Sequence, residues 1–245
     1  GFNDYDNWQA SGVSGQGARS FYYPAQTSTC NDCHMPLVAS NDPGNRGGKV
    51  HNHRFAAANT AVPYANRDGR HLAETVKFLT SGFITVDIFA ASPVNGGTRE
   101  VEMRRRADAP VLSSTFSQVE ETGGEGPYFL REVGQVAAPL DRADVKFQPG
   151  ASVRLDVVVR TRKIGHSFPA GTVDSFDIWL EVTGKDASGR TIFLSGNVEE
   201  GGKGAVEPGA HFYRSYQLDG AGNPINKRNA WQTRGVLYVR LIPPG

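Results

Sequence analysis

Cys30-Asn31-Asp32-Cys33-His34 sets two thiols three positions apart, with an imidazole directly after the second, and these are the only two cysteines of the chain. Two such thiols can add to the vinyl groups on one edge of a haem, and His34 then offers a ring nitrogen to the iron as proximal axial ligand. Three other chemistries compete for the same residues. A thioredoxin-like dithiol calls for a βαβ context, a place at the start of a helix and a lowered thiol pKa, but Met35-Pro36 follows the motif and its surroundings are polar and turn-rich. A plain disulfide gives His34 no role. Zinc would use Cys30, Cys33, His51 and His53 as four tetrahedral ligands in a CxxC…HxH arrangement. One covalent haem c is the reading that uses every residue of the motif.

A sixth iron ligand has to come from farther along the chain. Met35 adjoins His34, and one peptide link is too short to wrap to the opposite haem face. His51 and His53 follow across a Gly/Asn loop, on alternate positions that point to opposite sides of an extended segment. His166, inside Gly165-His166-Ser167-Phe168-Pro169-Ala170-Gly171, reads either as a buried imidazole holding turn carbonyls or as a group with axial or supporting haem duty. His71 and His211 open regular elements and read as structural. Met103 is disfavoured by the adjacent Arg104-Arg105-Arg106 run.

These residues need elements to position them, and the chain of 245 residues is long enough for one large domain or two modest ones. Residues 1–82 read as a loop-rich haem-binding segment with a short helix. Gly, Ser, Asn and Pro recur there, and Leu72, Val76 and Leu79 take helical spacing only over 69–81. Trp8, Phe21, Tyr22, Tyr23 and Phe55 are candidate packing partners for a haem, or ordinary core. Residues 83–148 read as a connecting region with a strand at 83–90 and a loop at Gly123-Gly124-Glu125-Gly126-Pro127. Residues 149–245 alternate as strands at 153–159, 176–182, 191–194, 211–218 and 236–241, separated by Gly-rich turns, which predicts an antiparallel immunoglobulin-like β-sandwich. The fold class expected is therefore mainly β, with a loop-rich, α-poor haem segment.

A net charge of +1 and a sequence pI near 8.0 give no electrostatic case for nucleic acid or an anionic membrane as partner. No apolar run approaches the length of a transmembrane segment, and no leader is visible. Asp174, Asp177, Glu181, Glu199 and Glu200 would suit a calcium site, but solvated loops explain them as well. No phosphate loop or Gly-x-Ser-x-Gly elbow is present. Gly1-Phe2-Asn3-Asp4 and Ile242-Pro243-Pro244-Gly245 read as cut ends, with more protein expected on one or both sides.

Cys30-x-x-Cys33-His34-Met35-Pro36, His51-Asn52-His53-Arg54-Phe55, Ala58-Asn59-Thr60-Ala61 and the Gly165–Gly171 turn together resemble the exported multihaem c-type cytochromes. The resemblance runs over most of residues 5–245. It implies an electron carrier exported to the periplasm or the cell exterior, with other cytochromes or redox subunits as partners, in a larger chain, a complex or a filament. It also favours His53 over His51 as distal ligand. The chain departs from the family pattern in carrying one CxxCH rather than several. Two histidine ligands would leave no open iron position, which argues for electron transfer and against an enzyme. The alternative from a different class is a structural or docking β-sandwich module stabilised by the CxxC/HxH zinc site.

Overall fold

The computed structural model describes residues 4–17, 25–101, 128–133, 135–171, 177–225 and 229–245. Phe21, Tyr22, Tyr23, Met103, the arginine run 104–106, the loop 123–127 and Asp174 lie outside them. Two compact units form, each from separated stretches of chain. The first takes residues 1–85, 159–176 and 241–245; the second takes 86–158 and 177–240. Residues 159–176, which the sequence reading placed with the β domain, therefore belong with the CxxCH segment.

The first unit is more helical than its composition suggests. Its helices are α1 (Asp4–Ala10), α2 (Cys30–His34), α3 (Ala61–Ala65) and α4 (Gly69–Leu79), and β1 (Leu37–Ala39) pairs antiparallel with β2 (Lys49–His51). In α1, Asp4 and Asp6 lie in the first turn, where carboxylates meet the positive end of the helix dipole. In α2, the Thr29 backbone N–H and hydroxyl both donate to Asp32 Oδ2, at 2.7 and 2.8 Å, so the Thr-x-x-Asp sequence closes the first turn. The helix α4 starts where Asp68 Oδ1 accepts the His71 N–H at 2.9 Å. Asp68 Oδ2 also takes Arg54 Nε at 3.1 Å, tying the His51–Phe55 stretch to α4.

Residues 159–171 return to this unit through backbone bonds. Arg162 N–H donates to Phe83 O at 2.7 Å, and Phe168 and Ile242 exchange both backbone bonds at 2.8 and 2.7 Å. Thr161 Oγ1 donates to Pro243 O at 2.7 Å. The Gly165–Gly171 turn is thus clamped at both ends.

The described residues hold more strand than helix, in small antiparallel sheets that do not close. β3 (Ile84–Val101) sits between β4 (Tyr128–Val133) and β5 (Val153–Thr161). Two-stranded sheets join β6 (Ile178–Leu180) to β9 (His211–Tyr213), β7 (Val182–Lys185) to β8 (Thr191–Ser195), and β10 (Ser215–Leu218) to β11 (Gly235–Val239). Trp179 anchors the second unit by donating its indole N–H to Gly196 O at 3.0 Å. One expectation is reversed at the start of β5: Val153 and Leu155 are exposed, whereas Arg154 and Asp156 are partly covered and pair at 2.8 Å. The ion pair spans two positions on one face, so the covered side of that strand end is the charged one. No helix among the described residues is long and apolar enough to cross a membrane.

Candidate haem site

The first unit contains a cavity of about 500 Å³, within the range of small-molecule sites. Cys30, Cys33 and His34 of α2 line it, with Phe55, Phe78, Phe83 and His166 around them. Because α2 is helical, the thiols at positions i and i+3 share one helix face and open on the same space. The sequence signals for this arrangement were the Thr29/Asp32 pair, which starts the helix, and the CxxC spacing, which matches one turn.

His34 is held from several sides. Its Nδ1 lies 2.8 Å from Ala56 O, and since a carbonyl only accepts, Nδ1 carries the proton and Nε2 keeps its lone pair. Phe55 stacks on the imidazole at 4.7 Å with planes 10° apart, and Phe78 meets it at 5.4 Å. Phe55 takes the left-handed backbone region, φ 50°, which costs energy in a bulky residue and is the strain expected where a side chain is aimed for a purpose. Burial holds the imidazole below its ordinary pKa, against the opposing bond to Ala56, with the His166 charge adding to the lowering. His34 is therefore kept neutral, the protonation state a metal ligand needs.

His166 is similarly prepared. Its Nδ1 lies 2.8 Å from Ser167 O, leaving Nε2 free to ligate, and its ring centroid is 6.1 Å from that of His34 with planes 16° apart. Gly165 lets this turn approach closely: a Cβ there would meet Trp8 Cδ1 at 2.8 Å. His166 is half-buried rather than buried, holds a turn carbonyl and lines the cavity with His34.

His51 and His53 stand elsewhere. His51 contacts Met35 O through Nδ1 at 2.6 Å, His53 is exposed, and neither lines the cavity. Among the described residues no three His, Cys, Asp or Glu side chains gather as a metal site, so Cys30, Cys33, His51 and His53 do not form the tetrahedral set zinc would require. The Cys33 thiol is pushed above its ordinary pKa, first by burial and then by Asp32 and Cys30, the opposite of a thioredoxin-like dithiol.

No protein-family model, curated protein or solved structure matches this chain.

The site's chemistry therefore rests on its own residues. Phe78 and Phe83 pack at 5.1 Å and extend the apolar wall from α4 to the segment after it. Trp8 and Phe55, expected from the sequence as packing partners, line the cavity, and Phe78 of α4 and Phe83, which no local pattern singles out, join them. Lys163 also reaches the cavity wall, again from a left-handed backbone at φ 59°. The donor set fits a haem: two thiols on one helix face, two imidazoles each with a committed Nδ1, and flat aromatic walls.

Proposed function

We propose that this chain is a c-type cytochrome module that carries electrons on one covalent, six-coordinate haem, as a part of an exported multihaem system. The observation that carries the reading is the His34–His166 pair inside an aromatic cavity lined by both thiols. The two ring centroids lie 6.1 Å apart with planes 16° apart, and both rings line the cavity, so on this reading the pair would hold the iron. On this reading Cys30 and Cys33 would tether the group, and His34 and His166 would ligate its iron, His166 in the role for which the motif resemblance favours His53.

A bound haem supplies a one-electron couple. The chain's residues do the rest. Ala56 O and Ser167 O orient the two imidazoles, as the carbonyl partners of metal-bound histidines do. Phe55 and Phe78 pack against the His34 ring, and Phe83 extends the apolar wall. With both imidazoles engaged, the role we propose is electron transfer rather than catalysis. The partners are other cytochromes or redox subunits, the location is the periplasm or cell exterior, and the sheets of the second unit belong to a β-sandwich-type domain that docks the module.

The test is spectroscopic. The chain produced in a host with haem-attachment machinery should give a pyridine haemochrome equivalent to one haem, a Soret band that survives acid–acetone extraction, and a low-spin spectrum. Zinc without iron in the same preparation would overturn the proposal, as would a high-spin haem that binds carbon monoxide.

A further inference from the structure

The second unit carries a site unrelated to haem. Between the turn at 219–223 and the 3-10 turn Ala230–Gln232 lies an open cavity of about 360 Å³, lined by Asp219, Gly220, Ala221, Trp231, Gln232 and Arg234. We propose that this cavity binds a neutral pyranose unit of a polysaccharide, with Trp231 as its stacking platform.

The tryptophan is the first argument. Trp8 and Trp179 donate their indole N–H groups to Ser28 O and Gly196 O, at 2.8 and 3.0 Å, as part of the packing of their units. Trp231 is 76% exposed. What sets Trp231 apart from other exposed apolar side chains is its place in the wall of a cavity that also presents a carboxylate and a guanidinium. The C–H face of a pyranose is flat and weakly apolar, and it covers an indole while its hydroxyls stay at the rim.

The second argument is that both walls are rigid. Asp219 Oδ1 accepts from Ala221 N and Asn223 N, both at 2.8 Å, and Asp219 N donates to Asn223 O at 2.9 Å. Opposite, Asn229 Nδ2 donates to Gln232 Oε1 at 2.8 Å, and Thr233 Oγ1 bonds both Ala230 O and Gln217 Oε1 at 2.7 Å. Arg234 N donates to Leu218 O at 2.8 Å and joins the walls. A site fixed in this way does not have to be ordered on binding.

Polar chemistry selects the ligand class. Asp219 Oδ2 takes one bond, from Asn223 Nδ2 at 3.1 Å, so it keeps a lone pair for a ligand hydroxyl. Arg234 Nη1 donates to Thr233 O at 3.0 Å, and the guanidinium has further N–H groups for a ligand oxygen. An acceptor and a donor at the rim of one aromatic plate match adjacent hydroxyls. The Asp219 carboxyl is held below its usual pKa, chiefly by the Asn223 backbone bond, and the Arg234 guanidinium lines the same cavity, so the rim carries one charge of each sign. Gly220 and Ala221 add little bulk to the lining, and a Cβ on Gly220 would lie 3.7 Å from Arg234 Cγ.

The test uses the full chain with three probes, cellohexaose, maltohexaose and chitohexaose, followed by saturation-transfer NMR and calorimetry. At least one should bind saturably, Trp231→Ala should weaken it by roughly tenfold or more, and Trp231→Phe should keep part of it. Circular dichroism and the visible spectrum should be unchanged in both variants. No binding by any of the three, equal binding by Trp231→Ala, or tighter binding of adenosine monophosphate than of the glycans overturns the proposal.

Discussion

The imidazoles of His34, in a one-turn helix, and His166, in a Gly-rich turn that returns after the long β3–β5 excursion, sit 6.1 Å apart with both Nδ1 atoms engaged by backbone carbonyls. If both ligate one iron, removing His166 should have a consequence that removing His53 does not. His166→Ala is expected to turn a low-spin haem into one that binds carbon monoxide in the reduced state, and His166→Met to raise the reduction potential. His53→Ala should leave both readouts unchanged. Absorption spectra with and without carbon monoxide decide it, and the reverse pattern would return the distal role to His53.

Asp32 closes the turn that presents the two thiols. Its carboxyl is held below the usual range, first by the Thr29 backbone N–H and then by the Thr29 hydroxyl. Asp32→Ala removes both bonds and should destabilise the first unit by about 1 kcal/mol. A group with a lowered folded pKa contributes above its unfolded pKa of about 4 and loses that contribution as pH falls through its folded value. The melting difference between wild type and Asp32→Ala should therefore shrink below about pH 4. A difference that stays constant down to strong acid would remove Asp32 from this role.

Gly196 is a position where only glycine fits. It has φ +82°, and a Cβ would run into Leu180 O and lie 3.0 Å from both Glu181 Cα and Trp179 Cδ1. Gly196→Ala should cost about 2–4 kcal/mol, combining left-handed strain with a backbone clash. Gly222, at φ +83° but with nothing within 4 Å, isolates the strain alone, and Gly222→Ala should cost about 1 kcal/mol. Denaturant midpoints of the two variants test this, and equal losses would count against the clash.

His211 makes the second unit sensitive to mild acid. Burial, followed by the Arg240 guanidinium, lowers its imidazole from 6.5 to about 4. The fold thus holds the neutral ring, whose stabilisation is complete above pH 6.5 and is lost as pH falls toward 4. Full burial would make this about 3 kcal/mol, and solvent screening of a half-buried ring reduces it to roughly 1–2 kcal/mol. His211→Gln should flatten the stability profile between these pH values; an unchanged slope would assign it to other groups.

Local pattern carried the regular elements well where one side of the chain dominates. The helix expected over 69–81 forms as Gly69–Leu79 and the strands near 153 and 191 appear. The single strand expected over 211–218, however, breaks at Arg214 into β9 and β10, which pair in different sheets. Local pattern failed for α1, α2 and α3, each too short to display a periodicity. The α2 helix was nevertheless signalled by Thr29 and Asp32, because a capping pair acts over three residues and needs no apolar stripe. At β5 the alternation was read correctly but its facing was not, since period two says nothing about which side is covered.

The sequence alone determined the candidate set: two thiols three positions apart, an imidazole beside them, and a histidine in a glycine-rich turn. These depend on residue type and short spacing, which covalent geometry translates directly into local position. Tertiary structure decided which distant groups join that set. Backbone pairing of Phe168 with Ile242 and of Arg162 with Phe83 brings His166 to His34, while His51 and His53, much nearer in sequence, are held outside the cavity. Chain separation carries no information about such closures, because loop entropy grows only with the logarithm of length and the hydrogen bonds at the ends outweigh it.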